Sequence, residues 1–487
     1  MTGLAVAWMV PADVVALILR QDPVLLGRYS EAQFVGLCLA TLLVALAAPM
    51  LAWGVSVLEV LLRIGLVTIF SALGFAIASL FSYVPATPRY LETPVAEFPL
   101  ARELGLAGKT RRRQPDRHFE LVRRDRPPVP RSYPDPPPGF PEARVTLTTD
   151  AHGFRNPVLP ARCETVVVGD SFAEGSMVSD QEVWVRRVAK GLGRCVYNAA
   201  VSGASPWEYV NNLAAFGLPL RPRRVIFSVY EGNDFKRNRR PQTQANGEPT
   251  LGERWAELRR LAFKRSPIRA RLKRWLLHSF GPVGASAPVP PSLALDWMPL
   301  RLGPATSRHA YAFQPRRLLR LLWEEEAFLA SREWTTNEEA FLELLRLSEA
   351  FGFELVALYA PSAPHVLLPL AREQTPPAAL HAFAAAAGKD LPAAPAFYER
   401  VFRELDSQES VFLRFCRAHG ITCLSTTAAL RDAVARGEQV YFTYDPHWTR
   451  LGHAVVADLV LRHLGAASPP GRRSAAAVGG SAAESPR

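Results

Sequence analysis

The chain has 487 residues, enough for two to four ordinary domains or one large domain with a membrane segment and linkers, and too many for a single small module. Hydrophobic residues make up 48% and charged residues 21%, which excludes wholesale disorder and coiled coil, and five Cys exclude a disulfide scaffold. The net charge of +12 suits nucleic acid, anionic lipid or acidic glycan equally, so its placement along the chain has to decide.

Residues 34–84 are apolar almost throughout, broken at Glu59 and Arg63. Their length predicts an N-terminal transmembrane helical hairpin with spans over 34–58 and 64–84, since about 20 helical residues cross a hydrocarbon core of ~30 Å. The stretch is too long, and starts too late, for a cleaved signal peptide. A weaker apolar segment, 4–19, carries Pro11 and Asp13; within the N-terminal segment 1–33 it reads as an interfacial helix or as a third span. Two spans return the chain to the side of its N-terminus and three deliver it to the other side, and the flanking charges do not choose between them.

Residues 85–144 are rich in Pro and Arg and end in RPPVPRSYPDPPPGFP, which predicts an extended, solvated linker acting as a tether, with the basic run 109–113 inside it. From 145 to 465 the pattern changes to short apolar runs alternating with helical stretches, the signature of a parallel α/β sheet. Five strands are expected, at 165–169, 195–199, 224–230, 354–360 and 422–425. A helix before the fourth strand is marked by a Thr336/Glu339 capping box, by an apolar face through Phe341, Leu344, Leu345 and Leu347, and by Gly352 as its stop. The last helix is expected over 453–464, ending at Gly465, and the tail 466–487 has the composition of a disordered segment. An insertion at about 235–334 is far longer than an ordinary connection between strand and helix. Its segment 254–280 interleaves basic residues such as Arg259, Lys264 and Arg271 with Trp255, Phe263 and Trp275. That pattern fits a helix lying on an anionic membrane surface, or one packed on its own domain with a charged outer face.

The chemistry-bearing signals fall at the ends of the expected strands, where open α/β sheets place their ligands. VVVGDSFAEG sets Ser171 on the turn after the first strand, with Gly175 opening room; NAAVSG sets Gly203 after the second; VYEGND sets Asn233 after the third; and Asp445-Pro446-His447-Trp448 follows the fifth. A Ser hydroxyl needs a base to take its proton, which His447 can supply, and Asp445 can orient that imidazole. The tetrahedral oxyanion needs donors, available from the N–H groups of Ser171 and Gly203 and the Asn233 amide. His453 reads as structural, His152 and Arg155 as packing and turn residues, and His365 as an exposed loop histidine rather than one lining the cleft. No metal spacing, Cys-x-x-Cys pair, Walker loop or dinucleotide fingerprint is present in the sequence, so no metal and no cofactor is expected.

These blocks, in this order, resemble the SGNH (GDSL-like) hydrolase superfamily over roughly residues 145–465. The resemblance implies a flavodoxin-like three-layer domain with a five-stranded parallel sheet of order 2-1-3-4-5. It also implies Ser171 as nucleophile, Gly203 and Asn233 with Ser171 as oxyanion donors, His447 as base and Asp445 as its partner. The common hydrolases place Asp three residues before His, whereas here only Pro446 intervenes, which leaves a full triad and a Ser-His dyad both open. Asp-x-His-Trp followed by Gly452-His453 is similar to the branch of bacterial exopolysaccharide O-acetyltransferases, alginate acetylation proteins among them.

With that strand order, Cys163 and Cys195 precede neighbouring strands about 4.8 Å apart, so they stand as a disulfide or as two buried thiols. A bond would put the domain outside the cytoplasm of a bacterial inner-membrane protein. The leading expectation is a membrane-anchored serine esterase or carbohydrate O-acyltransferase acting through an acyl-Ser171 intermediate on envelope glycan or lipid esters. Its partners would be the lipid bilayer, an acyl ester or glycan substrate, and a membrane protein that donates acyl groups. A catalytically weak glycan-binding or assembly subunit is the competing class, and intact Ser171, Asn233 and His447 argue against it. Nucleic-acid binding rests on charge alone and ranks last.

Overall fold

The computed structural model describes residues 31–81, 90–125, 137–235, 298–385, 387 and 390–466. The segment 4–19, the basic stretch 254–280 and nearly all of the tail 466–487 lie outside the described residues.

Two helices lead the described chain, α1 (Glu31–Ala52) and α2 (Val57–Phe81). A turn at 53–56 separates them, so the break does not fall at Glu59 and Arg63 as the sequence pattern suggested. Those two residues sit one turn apart inside α2 and form an ion pair, which lets the helix carry both charges without ending. Leu39, Leu58, Leu61, Leu66 and Phe70 are among the exposed apolar side chains of the pair. Several other side chains of both helices lie outside the described residues, and over those that are described no helix is long and apolar enough to cross a membrane.

The stretch expected as a solvated tether is folded onto the domain wherever it is described. β1 (Leu91–Pro94) pairs antiparallel with β2 (Lys109–Arg112), and β3 (His118–Arg123) with β4 (Ala143–Thr148). Composition failed as a guide because the partners come from distant sequence. Asn211 Nδ2 donates to the carbonyls of Ala107 and Lys109 at 3.1 Å each, and Arg111 N donates to Asn212 Oδ1 at 3.0 Å. Arg113, expected to be solvated, is buried in an ion pair with Glu174.

The central sheet is built from β5 (Thr165–Gly169), β6 (Val196–Asn198), β7 (Arg224–Tyr230), β10 (Glu354–Ala360) and β11 (Thr422–Ser425), while β8 (Met298–Leu302) and β9 (His309–Phe313) form a separate hairpin. All sheet pairings are parallel, in the order β11-β10-β7-β5-β6. Numbered along the sheet's own strands this is the expected 2-1-3-4-5. β5 is wholly buried, and β7 and β10 are buried beyond their first residues, as their unbroken Val, Ile, Leu and Phe runs require of strands covered on both faces. Alternate residues enter two cores: Val167, Ile226, Val356 and Leu358 face one, and Val166, Val168, Phe227 and Tyr359 face the other.

The helices divide between those faces. The one-turn α3 (Ser171–Glu174) follows β5, and α4 (Trp184–Leu192) packs through Trp184 and Val188 on the first core. On the second lie α5 (Pro206–Asn212) and α6 (Arg332–Phe351). α6 begins a turn before the expected Thr336/Glu339 box, because Ser331 Oγ accepts from Trp334 N at 3.1 Å and buried Trp334 extends the apolar face backwards; Gly352 ends it as expected. α7 (Ala363–Leu370) belongs to the first core and α8 (Ser407–Ala418) to the second. The final α9 (Arg450–Ala466) runs through Gly465, packing Val456 and Val460 on the first core. Cys163 and Cys195, just ahead of β5 and β6, are disulfide-bonded with their Cα atoms 5.1 Å apart.

Candidate active site

Ser171 owes its position to the end of β5. Asp170 takes the N-cap, its Oδ1 accepting from Phe172 N at 2.9 Å, so the chain turns directly from strand into α3. Gly175 closes the turn at φ 86°, its N–H bonding to Ser171 O at 3.0 Å, and a Cβ there would lie 2.4 Å from Val183 Cγ2. As the first helical residue, Ser171 has an N–H outside the helix ladder, at the positive end of the turn.

The late block reaches this hydroxyl from the other end of the chain. His447 Nε2 lies 2.8 Å from Ser171 Oγ, and His447 Nδ1 lies 2.5 Å from Asp445 Oδ1. The same Asp445 oxygen accepts from His447 N at 3.0 Å, closing a tight Asx turn over Pro446. One intervening residue is therefore enough for all three side chains to line up in one hydrogen-bonded series. Burial pushes the His447 imidazole down in pKa, but the Asp445 charge and hydrogen bond outweigh it and hold it above its ordinary value. Asp445, despite burial that favours its neutral form, is held below the usual carboxylate range by His447.

Sequence reasoning missed the residue that holds this loop. Asp125 is 2% exposed, and its two oxygens accept from the backbone N–H groups of Phe140, Thr443, Tyr444 and Asp445 at 2.7 to 2.9 Å. β9 adds Ala312 N to Thr443 O at 2.7 Å. No local motif announces Asp125, because it acts across some 320 residues of sequence.

The expected oxyanion donors sit at the ends of three adjacent strands. Asn233 lies on the turn after β7, where Asp234 Oδ2 accepts from Tyr230 N and Tyr209 Oη at 2.8 Å each. Asn233 Nδ2 donates to Asp170 Oδ2 at 2.8 Å, which fixes the amide orientation and leaves its second N–H for a ligand. Burial pushes the Asp170 carboxyl up, opposed by its bonds to Phe172 N and Asn233. Gly203, at φ 76°, follows β6, and a Cβ there would meet Arg111 Nη2 at 3.4 Å. Its neighbour Ser202 is tied to buried Glu174 through both N–H, at 3.2 Å, and hydroxyl. Arg113 in turn grips Glu174 at 2.5 and 2.9 Å, so a residue of the supposed tether braces the Gly203 loop. Phe172 stacks on Tyr230 at 3.9 Å and meets His447 at 5.0 Å and Trp448 at 4.8 Å, walling the imidazole with aromatic surface. A cavity of about 630 Å³ opens beside Gly232, lined by Phe235, Leu319, Arg320, Trp323 and Arg400.

The remaining singled-out residues divide. Arg155 donates to the carbonyls of Thr146, Gly175 and Val178 at 2.5 to 2.7 Å and shapes the loop after Ser171, in keeping with a packing role. His152 lies against Phe216 with ring centroids 5.2 Å apart. His453 is buried, accepts weakly from Trp184 N at 3.4 Å, and is pushed well down in pKa by burial, as a structural imidazole should be. His365 is a correction: it sits in helix α7 rather than a loop, and it is 0% exposed. Among the described residues no group of three or more His, Cys, Asp or Glu could hold a metal ion.

No protein-family model matches the chain, and no curated protein matches it. Solved structures do. One is a putative lipolytic protein of the G-D-S-L family from Desulfitobacterium hafniense, 12% identical, covering 61% of this chain and 98% of its own, with a TM-score of 0.29. Another is a putative acylhydrolase from Bacteroides fragilis, 10% identical, covering 63% and 91%, TM-score 0.27. A third is a catalytic mutant of an acetylxylan esterase from Geobacillus stearothermophilus, 10% identical, covering 63% and 96%, TM-score 0.28.

Proposed function

We propose that this chain is a membrane-anchored serine acyl-ester hydrolase or carbohydrate O-acyltransferase of the SGNH type, working through an acyl-Ser171 intermediate on cell-envelope glycan or lipid esters. The observation that carries the reading is the unbroken relay from Asp445 Oδ1 through His447 to Ser171 Oγ, at 2.5 and 2.8 Å. His447 takes the proton of Ser171 as the hydroxyl attacks the acyl carbonyl, and Asp445 holds the ring and balances the imidazolium. The negative oxygen that develops is met by Ser171 N–H, Gly203 N–H and Asn233 Nδ2. Collapse of the tetrahedral adduct expels the alcohol, which takes the proton from His447 and leaves Ser171 acylated. Water then gives an esterase and a sugar hydroxyl gives a transferase.

Support for the anchor is the apolar stretch 34–84, and support for an extracytoplasmic domain is the Cys163–Cys195 disulfide. The late Asp-x-His-Trp block favours the O-acetyltransferase branch and a membrane acyl-donor partner. Mass spectrometry after incubation with p-nitrophenyl acetate, with and without candidate polysaccharide, tests the reading. Acetyl on Ser171 establishes the nucleophile, and its transfer to the sugar separates the two enzymes. A Ser171→Ala protein that turns over substrate at the wild-type rate overturns it.

A further inference from the structure

The Asn233 turn is gripped from below by a buried charge cluster that the acyl-transfer mechanism does not use. Glu231, two residues before Asn233 and 3% exposed, has both oxygens engaged. Its Oε1 accepts from Ser362 N and Ser362 Oγ at 2.6 Å each, and its Oε2 accepts from Tyr359 Oη and faces His365 Nδ1 at 2.8 Å. The other ring nitrogen of His365, Nε2, faces Asp406 Oδ1 at 2.7 Å, with Glu409 Oε2 at 3.5 Å. Arg431, on the helix Thr427–Ala435, donates to His365 O at 2.9 Å and to Asp406 Oδ1 at 3.0 Å.

A neutral imidazole has one N–H and one lone pair, so it cannot serve two carboxylate oxygens on opposite sides; one would face a lone pair. Both contacts are satisfied only by the imidazolium. The charges agree: Glu231, Asp406 and Glu409 are set against His365 and Arg431, and a neutral His365 would leave Glu231 as a buried anion with only neutral donors.

We propose that His365 is a positioning residue, an imidazolium clamped between Glu231 and Asp406 that sets the turn on which Asn233 meets the substrate oxyanion. The proposal rests on the acyl-transfer reading of Ser171. His365 touches no reacting atom and acts only through Glu231 and the two residues that follow it. Burial pushes the ring down in pKa, but Glu231 and Asp406 outweigh it and raise it to about 10. Asp406, hydrogen-bonded to His365, is held well below the usual carboxylate range. The imidazolium's contribution to stability is complete below the ordinary histidine value of ~6.5 and is lost as pH rises through about 10.

The test uses the full chain in detergent, 15N-labelled at His and Asn, with resonances assigned through His365→Gln and Asn233→Ala. In the wild type the His365 ring keeps both N–H protons through neutral pH and titrates far on the alkaline side, and the Asn233 side-chain amide resonance shifts with it. Asp406→Asn removes a half-exposed carboxylate that does not touch the turn. It moves both titrations to lower pH together, and the alkaline fall in kcat moves with them while KM stays unchanged. His365→Gln lowers kcat by roughly ten- to a hundredfold at constant KM, the scale of a misplaced catalytic group. A ring that titrates near the ordinary histidine value, or an Asn233 amide that ignores the His365 titration, overturns the proposal. Both readouts need no turnover, so an inactive wild type would overturn the acyl-transfer reading while the co-titration still decides the clamp.

Discussion

At the scale of single residues, the Asx turn of Asp445 does two jobs with one oxygen, and the pH dependence of turnover should show it. In the proposed mechanism His447 acts as base only when neutral, so kcat/KM should rise as pH climbs through a pKa that Asp445 holds above the ordinary value. In Asp445→Asn the raising charge is gone, and the acid limb shifts to lower pH. The plateau falls by roughly 10⁴-fold, less than with Ser171→Ala or His447→Ala. A limb that stays in place in Asp445→Asn would detach Asp445 from the base. Asn233→Ala removes one proposed oxyanion donor and should cost roughly 2.7–4 kcal/mol of transition-state stabilisation, read from kcat. Ser171, Gly203 and Asn233 were legible as candidates because each sits in a short local motif just after a strand of the sheet, whereas Asp445 and His447 lie in a loop beyond both β11 and the helix Thr427–Ala435, and only their own Asp-Pro-His-Trp run marked them. Glu231 was hidden in plain view within VYEGND, and His365 looked like a loop residue because nothing near it in sequence announces two carboxylates. Their pairing spans 134 residues, and no window along the chain contains it.

At the scale of elements, the parallel sheet was readable from its Val- and Leu-rich runs, while the antiparallel pairs β1–β2 and β3–β4 were not. Their strands are short and mixed with Pro and Arg, and their order comes from contacts with distant segments: Asn211 and Asn212 on α5, Glu174 on α3. Asp125 is the sharpest case, since it lies two residues past β3 yet clasps three consecutive N–H groups of the loop that carries Asp445. In Asp125→Ala those buried donors lose their acceptor, which costs at least roughly 2–3 kcal/mol of stability. Because the loop carries Asp445, kcat should fall in the protein that remains folded. Thermal unfolding and kcat measured on the same sample check both halves. An unshifted melting temperature with wild-type kcat would mean that β9 alone holds the loop.

At the scale of the whole molecule, the loops of the candidate site and the disulfide lie at opposite ends of the same strands. Ser171 and Gly203 follow β5 and β6, whereas Cys163 and Cys195 precede them. Breaking the bond should therefore lower stability by roughly 2–4 kcal/mol, since it closes a loop of 32 residues, and leave acyl turnover at low temperature intact. On the proposed membrane-anchored reading, the same bond bears on which side of the bilayer the chemistry takes place. Oxidising compartments sustain disulfides and the cytosol does not, so the proposed enzyme, carrying this one, should work where envelope glycans are. If it does, and if 34–84 makes the two proposed spans, either the N-terminus is also outside or the segment 4–19 makes a third crossing. Non-reducing peptide mapping of protein alkylated in the cell should find Cys163 and Cys195 in one linked peptide, and an alkaline phosphatase fused to the C-terminus should be active. Free thiols at both positions together with an inactive fusion would place the domain in the cytoplasm, and its substrate would then have to be sought among cytosolic esters.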